Sequence, residues 1–333
     1  MQPPQPTMLW ESVDPQVALA KRFHFATPAA AVEWLSDTVA GTYGITVTAV
    51  DRLTLSAANL IAWLTTEAGP LLAKGSVFAP AYPHLQAAAE LVVWLGQASL
   101  PVSAPLATPD GLVQVIRDHL ALSVQRVMPG DLLEPAQLAQ AEGAGVTLAQ
   151  LHQALVSYPH AGDFAQQRPA PTLPMLIEAW PSPKMAANPE PRFRAGCRAL
   201  QQRLTQLAPP PLATQLVHGD YRAANLLWHE RKISAVLDFE EVHWGYRVND
   251  LAWAAVHLGT RYHNWGPVAP EVHQTFLHSY GAAHPLTEPE QQWMPLLLTW
   301  HSLALASSAV GLSTYAAAID TAEYYLRLLD SHA

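Results

Sequence analysis

The first third of the chain carries two different spacings of hydrophobic residues. In the segment Ala29 to Thr42, apolar side chains at Val32, Leu35 and Val39 recur at helical spacing, which predicts an amphipathic helix. Shorter apolar runs separated by turn residues are typical of β-strands. The predicted strands are residues 46–50, 59–66, 70–74, 112–116 and 124–127. With a further helix expected over 85–95, the pattern predicts a small β-rich lobe that holds one internal helix.

The rest of the chain is predicted to be mainly helical. Met128-Pro129-Gly130 interrupts the pattern and marks the boundary. Prolines crowd between residues 169 and 191, which predicts an irregular connection because proline breaks regular structure. Helices are expected at 135–155 and 193–207 and from 250 to the end, apart from a loop at 261–267, and strands at 215–217 and 233–237. The chain is therefore predicted to be an α+β protein of two lobes.

Composition narrows the classes of function. The 333 residues include 18 lysines and arginines against 27 acids, a formal net charge of −9. A nucleic-acid partner needs a basic face, so none is predicted, and the charge weakly favours basic substrates. Cys197 is the only cysteine, which excludes an internal disulfide and a cysteine-rich zinc site. With no signal-like N-terminus and no apolar run of about 18 residues, we expect a soluble, cytoplasmic protein that does not contact membranes.

Two aspartates and one asparagine have the spacing that phosphoryl transfer requires. Asp220 follows a short apolar run, Asn225 lies five residues later, and Asp238 ends the next apolar run. The reaction needs a carboxylate near the attacking hydroxyl and hard oxygen ligands for Mg²⁺. The order fits the kinase pattern His-x-Asp-x-x-x-x-Asn followed by Asp-Phe. It predicts an ATP- and magnesium-dependent phosphotransferase.

The same region resembles a known family. Residues 218–227 read His-Gly-Asp-Tyr-Arg-Ala-Ala-Asn-Leu-Leu, 236–240 read Val-Leu-Asp-Phe-Glu, and 250–253 read Asp-Leu-Ala-Trp. These motifs resemble the aminoglycoside phosphotransferase family, whose superfamily includes choline kinases, type II homoserine kinases and fructosamine kinases. Residues 127–130 are similar to that family's hinge, and 148–152 to its first long helix in the large lobe.

The resemblance implies an α+β, two-lobed protein-kinase-like fold. Residues 1–127 would form a small nucleotide-binding lobe, 128–131 a hinge, and 132–333 the larger, mainly helical catalytic and substrate-binding lobe.

The resemblance also implies a division of roles within the motif. Asp220 would be the catalytic base, and Asn225 and Asp238 would hold Mg²⁺ on the nucleotide phosphates. His218 would support the catalytic loop from behind. Asp250 would brace that loop, although an acid near a helix start is equally well explained as a cap.

In the small lobe, the resemblance implies a lysine on the phosphates of ATP, with GTP as an alternative. Lys74 is the only lysine in the strand-like segments there, and an ordinary exposed lysine is the other interpretation. Glu90, the sole acid of the helix over 85–95, would orient it. The hairpin at residues 53–59 should cover the nucleotide but has no glycine, so Ser56 is expected to contact phosphate directly.

Several residues keep two interpretations. Glu240 would serve a second metal ion or pair with Arg222 or Arg247. Trp265 and Trp300 would contact the acceptor or belong to the core. Arg261 falls in the acceptor region of the resembled family.

The predicted acceptor is a hydroxyl of a small amino alcohol, amino acid or sugar. An antibiotic acceptor and a catalytically silent nucleotide-binding protein are the alternatives. Protein kinase activity is disfavoured because no Ala-Pro-Glu segment follows Asp238 at the expected distance. The sequence leaves the oligomeric state open.

Overall fold

A computed structural model describes residues 3–167, 172–206, 212–262, 266–308 and 312–331 of the chain. The chain divides into two compact units, Met1–Pro129 and Gly130–Ala333. Within the described ranges, no helix is both long and apolar enough to cross a membrane.

The first unit is built on one six-stranded sheet. Its strands are β1 (Thr7–Met8), β2 (Val47–Leu55), β3 (Asn59–Thr66), β4 (Gly69–Ser76), β5 (Val115–Arg117) and β6 (Leu120–Arg126). Their order across the sheet is β1-β2-β3-β4-β6-β5. β1 pairs parallel with β2, whereas the other neighbours are antiparallel. The N-terminal segment therefore lies beside the strand that leads into the β2–β3 hairpin.

Among its described residues, this unit also has three α-helices. They are α1 (Pro15–Phe23), α2 (Pro28–Tyr43) and α3 (Tyr82–Gln97). Side-chain oxygens of Asp14 and Thr27 accept hydrogen bonds from the first-turn amides of α1 and α2, which fixes where the two helices begin. Leu35 from α2 and Phe23 from α1 are fully buried in one core with the inner face of the sheet. Removal of such side chains from water drives the assembly.

The predicted elements of this unit are confirmed, with differences at their ends. β3 has the expected bounds, and β2 runs on to Leu55 through register shifts that interrupt its alternation. The strand predicted at 112–116 is shorter and later, at β5. The pattern missed α1 and β1, because neither has a long periodic apolar run.

The second unit is mainly helical. Its helices are α4 (Leu138–Val156), α5 (Ala161–Gln167), α6 (Leu173–Ala179), α7 (Pro181–Ala187), α8 (Pro191–Gln206), α9 (Arg247–His257), α10 (Pro270–Ala283), α11 (Glu288–Ser308) and α12 (Leu312–Ser331). Its strands are β7 (Asp131–Leu132), β8 (Thr214–Val217), β9 (Leu226–His229), β10 (Lys232–Val236) and β11 (His243–Tyr246). They form two small sheets, β10-β9-β7 and β11-β8.

The prediction of an irregular connection between residues 169 and 191 is wrong. That stretch includes α6 and α7, each with proline in its first turn. Proline is tolerated there because the first amides of a helix have no intrahelical acceptor. Thr172 accepts a hydrogen bond from the amide of Met175 and so caps α6. The prolines start helices in this segment instead of preventing them.

Candidate active site

The loop after β8 and the end of β10 bring the three motif residues together. The loop runs through His218–Asp220 and a short 3₁₀ helix, Ala223–Asn225, into β9. β10 returns antiparallel to β9, with Val236 opposite Leu226. The amide of Leu237 donates to the carbonyl of Asn225 at 2.8 Å. Asp238 directly follows Leu237 and is therefore a neighbour of Asn225 across the hairpin.

The Asp220 carboxylate is held by two donors. Arg222 Nε donates to its Oδ1 at 2.8 Å, and Asn225 Nδ2 donates to its Oδ2 at 2.7 Å. Burial and, to a smaller extent, the negative charge of Asp238 raise the pKa of Asp220 to about 6, although the contacts with Arg222 and Asn225 oppose the shift. The carboxylate is thus oriented and ionised near pH 7, as proton acceptance requires.

The donor set of Asn225 and Asp238 fits a magnesium ion that also binds phosphate. Asn225 Nδ2 donates to both Oδ2 and the carbonyl of Asp220, and no described residue donates to Asn225 Oδ1. Asp238 is exposed, and its backbone is left-handed at φ 63°, a conformation that residues at functional sites often adopt. In the described part of the chain, no three His, Cys, Asp or Glu residues cluster as a metal site. Magnesium held by one or two protein oxygens plus phosphates needs no such cluster.

His218 is buried and supports the loop as a neutral imidazole. Its Nδ1 accepts a hydrogen bond from the amide of Asp220 at 3.1 Å, so Nε2 donates to the carbonyl of Leu237, also at 3.1 Å. Burial holds the pKa of His218 below its ordinary value. The ring therefore ties the backbone before Asp238 to the backbone of Asp220.

Asp250 braces the same loop from α9. Its Oδ1 accepts from the amide of Gly219 at 2.9 Å, and its Oδ2 accepts from the amide of His218 at 3.2 Å. His152 Nε2 donates to Oδ2 at 2.9 Å, and the hydroxyl of Tyr280 donates to His152 Nδ1 at 2.8 Å. Burial would raise the pKa of Asp250, but these donors and the nearby imidazoles lower it. The geometry supports the role of a brace over that of a helix cap.

Gly219 is required at its position by both backbone and space. Its φ is +82°, and a Cβ there would lie 2.4 Å from the carbonyl oxygen of Glu241. Any side chain would force the loop away from the segment that follows Asp238.

A buried ion pair anchors the first turn of α9. Glu290 accepts from Arg247 Nε at 2.6 Å and from a second guanidinium nitrogen at 2.5 Å, and also from the amide of Thr287 at 2.8 Å. Arg247, one of the two partners predicted for Glu240, is thus engaged by Glu290. Glu240 itself lies on the short 3₁₀ helix Phe239–Glu241, and its role stays a prediction.

We expect Glu290→Gln to lower the free energy of unfolding by about 3 kcal/mol at pH 7, because it leaves the Arg247 charge buried without its counter-charge. Burial raises the pKa of Glu290, but Arg247 and Thr287 lower it below its ordinary value of 4.5. The stabilisation is therefore present above that value and lost as the pH falls through the lower folded-state pKa. Urea unfolding at several pH values measures it. Exposed Glu288, also in the first turn of α11, gives the control Glu288→Gln. Equal stability of the two variants would contradict the prediction.

The candidates in the first unit lie on separate elements. Lys74 is on β4, opposite Ile61 of β3 and Ser123 of β6. Glu90 is exposed on α3 and accepts from Gln86 at 2.7 Å. Ser56 is buried at the β2–β3 turn, where its hydroxyl accepts from the amide of Asn59 at 3.1 Å. Their roles toward nucleotide stay predictions.

The acceptor candidates differ in what they contact. Arg261 donates to the carbonyl of Leu133 and pairs with Glu134 Oε2 at 3.1 Å. Trp300 is half-buried, and no described residue accepts from its buried Nε1. Trp265 lies outside the described residues.

Sequence reasoning missed two of the contacts that orient this site. It considered Arg222 only as a partner for Glu240, although the spacing Asp-x-Arg in a loop allows the pair with Asp220. His152 was identified only within residues 148–152, which resemble the family's first long helix in the large lobe. Since His152 and Asp250 are 98 positions apart, no local signal could join them.

A sheet unit followed by a mainly helical unit, with these motifs in the second, defines the protein-kinase-like phosphotransferase class. A family model described as the phosphotransferase enzyme family matches residues 51–293. The chain belongs to this family and is an enzyme of the phosphotransferase class. The resemblance and the fold class expected from the sequence are both confirmed.

Solved structures share the fold at low sequence identity. A macrolide 2′-phosphotransferase from Brachybacterium faecium has a TM-score of 0.59 and 17% identity, covering 89% of this chain and 97% of that one. An amicoumacin kinase in complex with AMP-PNP, Ca²⁺ and Ami has a TM-score of 0.56 and 18% identity, covering 90% of this chain and 93% of that one. A putative fructosamine-3-kinase from Thermobifida fusca has a TM-score of 0.53 and 21% identity, covering 89% of this chain and 99% of that one. No curated protein sequence matches significantly.

Proposed function

We propose that the enzyme transfers the γ-phosphoryl group of ATP, or of GTP, to a hydroxyl of a small molecule. The observation that carries the proposal is the arrangement of Asp220, Asn225 and Asp238 on one braced loop and hairpin. Asp220 is oriented by two donors, and Asn225 keeps its side-chain oxygen available while its nitrogen is used. Structures of the same fold that contain AMP-PNP or ADP support nucleotide as the donor.

In the proposed mechanism, Asp220 accepts the proton of the acceptor hydroxyl as that oxygen forms a bond to the γ-phosphorus. The bond from the γ-phosphorus to the β–γ bridging oxygen breaks, and the nucleoside diphosphate leaves with the electron pair. Bound Mg²⁺, held by Asn225 and Asp238, would neutralise charge on the phosphates. Arg222 and His218 keep the Asp220 carboxylate and backbone in place. Lys74 is proposed to bind the α- and β-phosphates, with Glu90 and Ser56 in supporting roles.

The helices after the motif favour an acceptor with little positive charge. Three of their acids have arginine partners: Asp320 and Glu323 both bind Arg192, at 2.6 and 2.9 Å, and Glu290 binds Arg247. Much of the negative charge of these three carboxylates is therefore already compensated. A molecule with several ammonium groups would lack their charge as a counterpart.

Pairs of tryptophan and neutral histidine rings lie on α9, after Asp250, and on α11. Trp253 stacks on His257 at 4.3 Å between ring centroids, and Trp300 lies 4.5 Å from His301. Burial lowers the pKa of His257 to about 4 and that of His301 to about 3, so both are neutral at pH 7. This chemistry favours a small amino alcohol, amino acid or sugar. An antibiotic acceptor is the second candidate, because several structures of this fold are antibiotic kinases.

A coupled assay of nucleoside diphosphate release tests the acceptor class. The panel contains hydroxylated amines, amino acids, sugars, aminoglycosides and macrolides. We expect turnover with an acceptor that carries at most one amine. Turnover confined to polyamine antibiotics would contradict this substrate class and leave phosphoryl transfer standing.

A thermal shift experiment separates an enzyme from a catalytically silent fold. We expect Mg·ATP at a hundred times its Kd to stabilise the folded chain by about 2.7 kcal/mol through mass action. Removing the metal with EDTA should abolish most of that shift, because the phosphates would then meet Asp238 without a neutralising cation. Absence of any shift at millimolar Mg·ATP would contradict nucleotide binding.

A further inference from the structure

The tip of the β2–β3 hairpin turns without glycine and without strain. The amide of Ser56 donates to the carbonyl of Asn59 at 2.8 Å, and the amide of Asn59 donates back to Ser56 Oγ at 3.1 Å. None of residues 56–59 has a positive φ. The turn therefore needs no glycine for its backbone conformation. Because the hydroxyl of Ser56 is used within the turn, the backbone amides of the tip are the groups left to bind a ligand.

Two backbone donors remain at this tip. Ala57 is exposed and Ala58 is half-buried. Among the described residues, neither amide donates a backbone hydrogen bond. The carbonyl of Ala58, in contrast, accepts from the amide of Val77 at 2.9 Å at the end of β4. Neighbouring amides with small side chains can bind phosphate oxygens if the chain holds them in place.

The N-terminal segment holds the tip from the other side. β1 pairs with the last residues of β2, Thr7 with Thr54 and Met8 with Leu55. The amide of Leu9 donates to the carbonyl of Leu55 at 2.8 Å, one residue before the turn. β1 therefore covers the edge of β2 at its last two residues, directly before the hairpin tip.

One guanidinium nitrogen completes the attachment. Arg22 Nη1, at the end of α1, donates to the carbonyl of Ser56 at 3.1 Å and to Glu11 Oε2 at 2.5 Å. Both side chains are about three-quarters buried, at 26% and 25% exposure. Glu11 thus fixes the guanidinium, and the guanidinium fixes the carbonyl at the turn. Charge-assisted hydrogen bonds of this kind are stronger than neutral ones.

We propose that residues 7–22 brace the hairpin tip for phosphate binding, with Arg22 as the positioning residue. A glycine-rich loop is mobile and must be ordered when nucleotide binds, which costs affinity. Here the ordering is completed on folding, by β1 and by the pair of Arg22 and Glu11. The amides of Ala57 and Ala58 are the phosphate donors. The inference rests on the proposed function, because it assumes that this hairpin contacts nucleotide.

The test compares Arg22→Met with Arg117→Met in the full chain. Methionine keeps the apolar stem and removes the donors. Arg117 lies in the same unit but donates to Thr38 Oγ1, at 3.2 Å. We expect Arg22→Met to raise the Kd for Mg·ATP about tenfold, equal to about 1.4 kcal/mol, with kcat nearly unchanged. Arg117→Met should leave the Kd unchanged, and Arg22→Lys should recover part of the affinity. Calorimetry measures Kd, and the coupled assay measures KM and kcat.

Each outcome decides a different point. A rise in Kd confined to Arg22→Met supports the brace. A lower unfolding temperature with wild-type Kd would make Arg22 a merely stabilising residue and overturn the brace while leaving nucleotide binding intact. A wild-type chain that binds no Mg·ATP would overturn both the brace and the proposed function.

Discussion

Asp220→Asn should lower turnover by about 10²–10⁴-fold, the usual contribution of a positioned general base, and leave Mg·ATP binding intact. The amide keeps the size of the carboxylate and can still accept from Arg222, but it cannot take up the acceptor's proton. Asp238 acts to raise the pKa of Asp220, so the two negative charges repel. Removing one of them should not weaken the affinity for the metal–nucleotide complex, and lost turnover would therefore report on chemistry.

The experiment pairs the coupled assay with calorimetry on the same preparations. Asp163→Asn, an identical change at an exposed position in the first turn of α5, is the matched control. Wild-type turnover in Asp220→Asn would mean that another group accepts the proton. Lost nucleotide binding would mean that the carboxylate contributes to the metal site.

Asp238→Asn should remove the dependence of nucleotide binding on Mg²⁺. Asparagine is chosen over alanine because it tolerates the left-handed conformation at φ 63°, so the hairpin is not strained. Loss of an outer partner of a metal ligand costs about 10–100-fold in metal affinity. Replacing a charged ligand should cost at least the upper end of that range.

Calorimetric titration of nucleotide with Mg²⁺ and with EDTA measures this effect. For the wild type the two affinities should differ widely, and for Asp238→Asn they should nearly coincide. Glu241→Gln, an exposed acid three residues later, serves as the control. An undiminished magnesium effect in Asp238→Asn would put the metal ion on other residues.

The sequence could predict those parts of the site that are close together in the chain. Asp220 and Asn225 lie on one short loop, and Asp238 ends the hairpin that starts there, so spacing alone indicates that they meet. β3 was predicted to the residue because its apolar run is bounded by turns. β9 was missed because its apolar residues directly follow the motif and gave no separate strand signal.

Other parts depend on where a side chain points or on distant partners. The pair of Arg222 and Asp220 is decided by the turn of the loop. The contact of His152 with Asp250 is decided by how α4 and α9 both pack against β8 and α10. Whether the glycine-free hairpin at residues 53–59 can approach phosphate depends on its backbone conformation, which composition alone does not give.

The hydrogen bonds around Asp250 also bear on how the enzyme is made. They join α4, the loop after β8, α9 and, through Tyr280, α10, across sequence separations of 98 and 128 residues. Contacts of such long range form late, since the loop-closure entropy must be overcome first. The helices can therefore assemble in part while the Asp220 loop is still unsupported. We therefore expect a newly synthesised chain to gain its catalytic geometry late in folding, so that partly folded copies hold few phosphoryl-transfer sites.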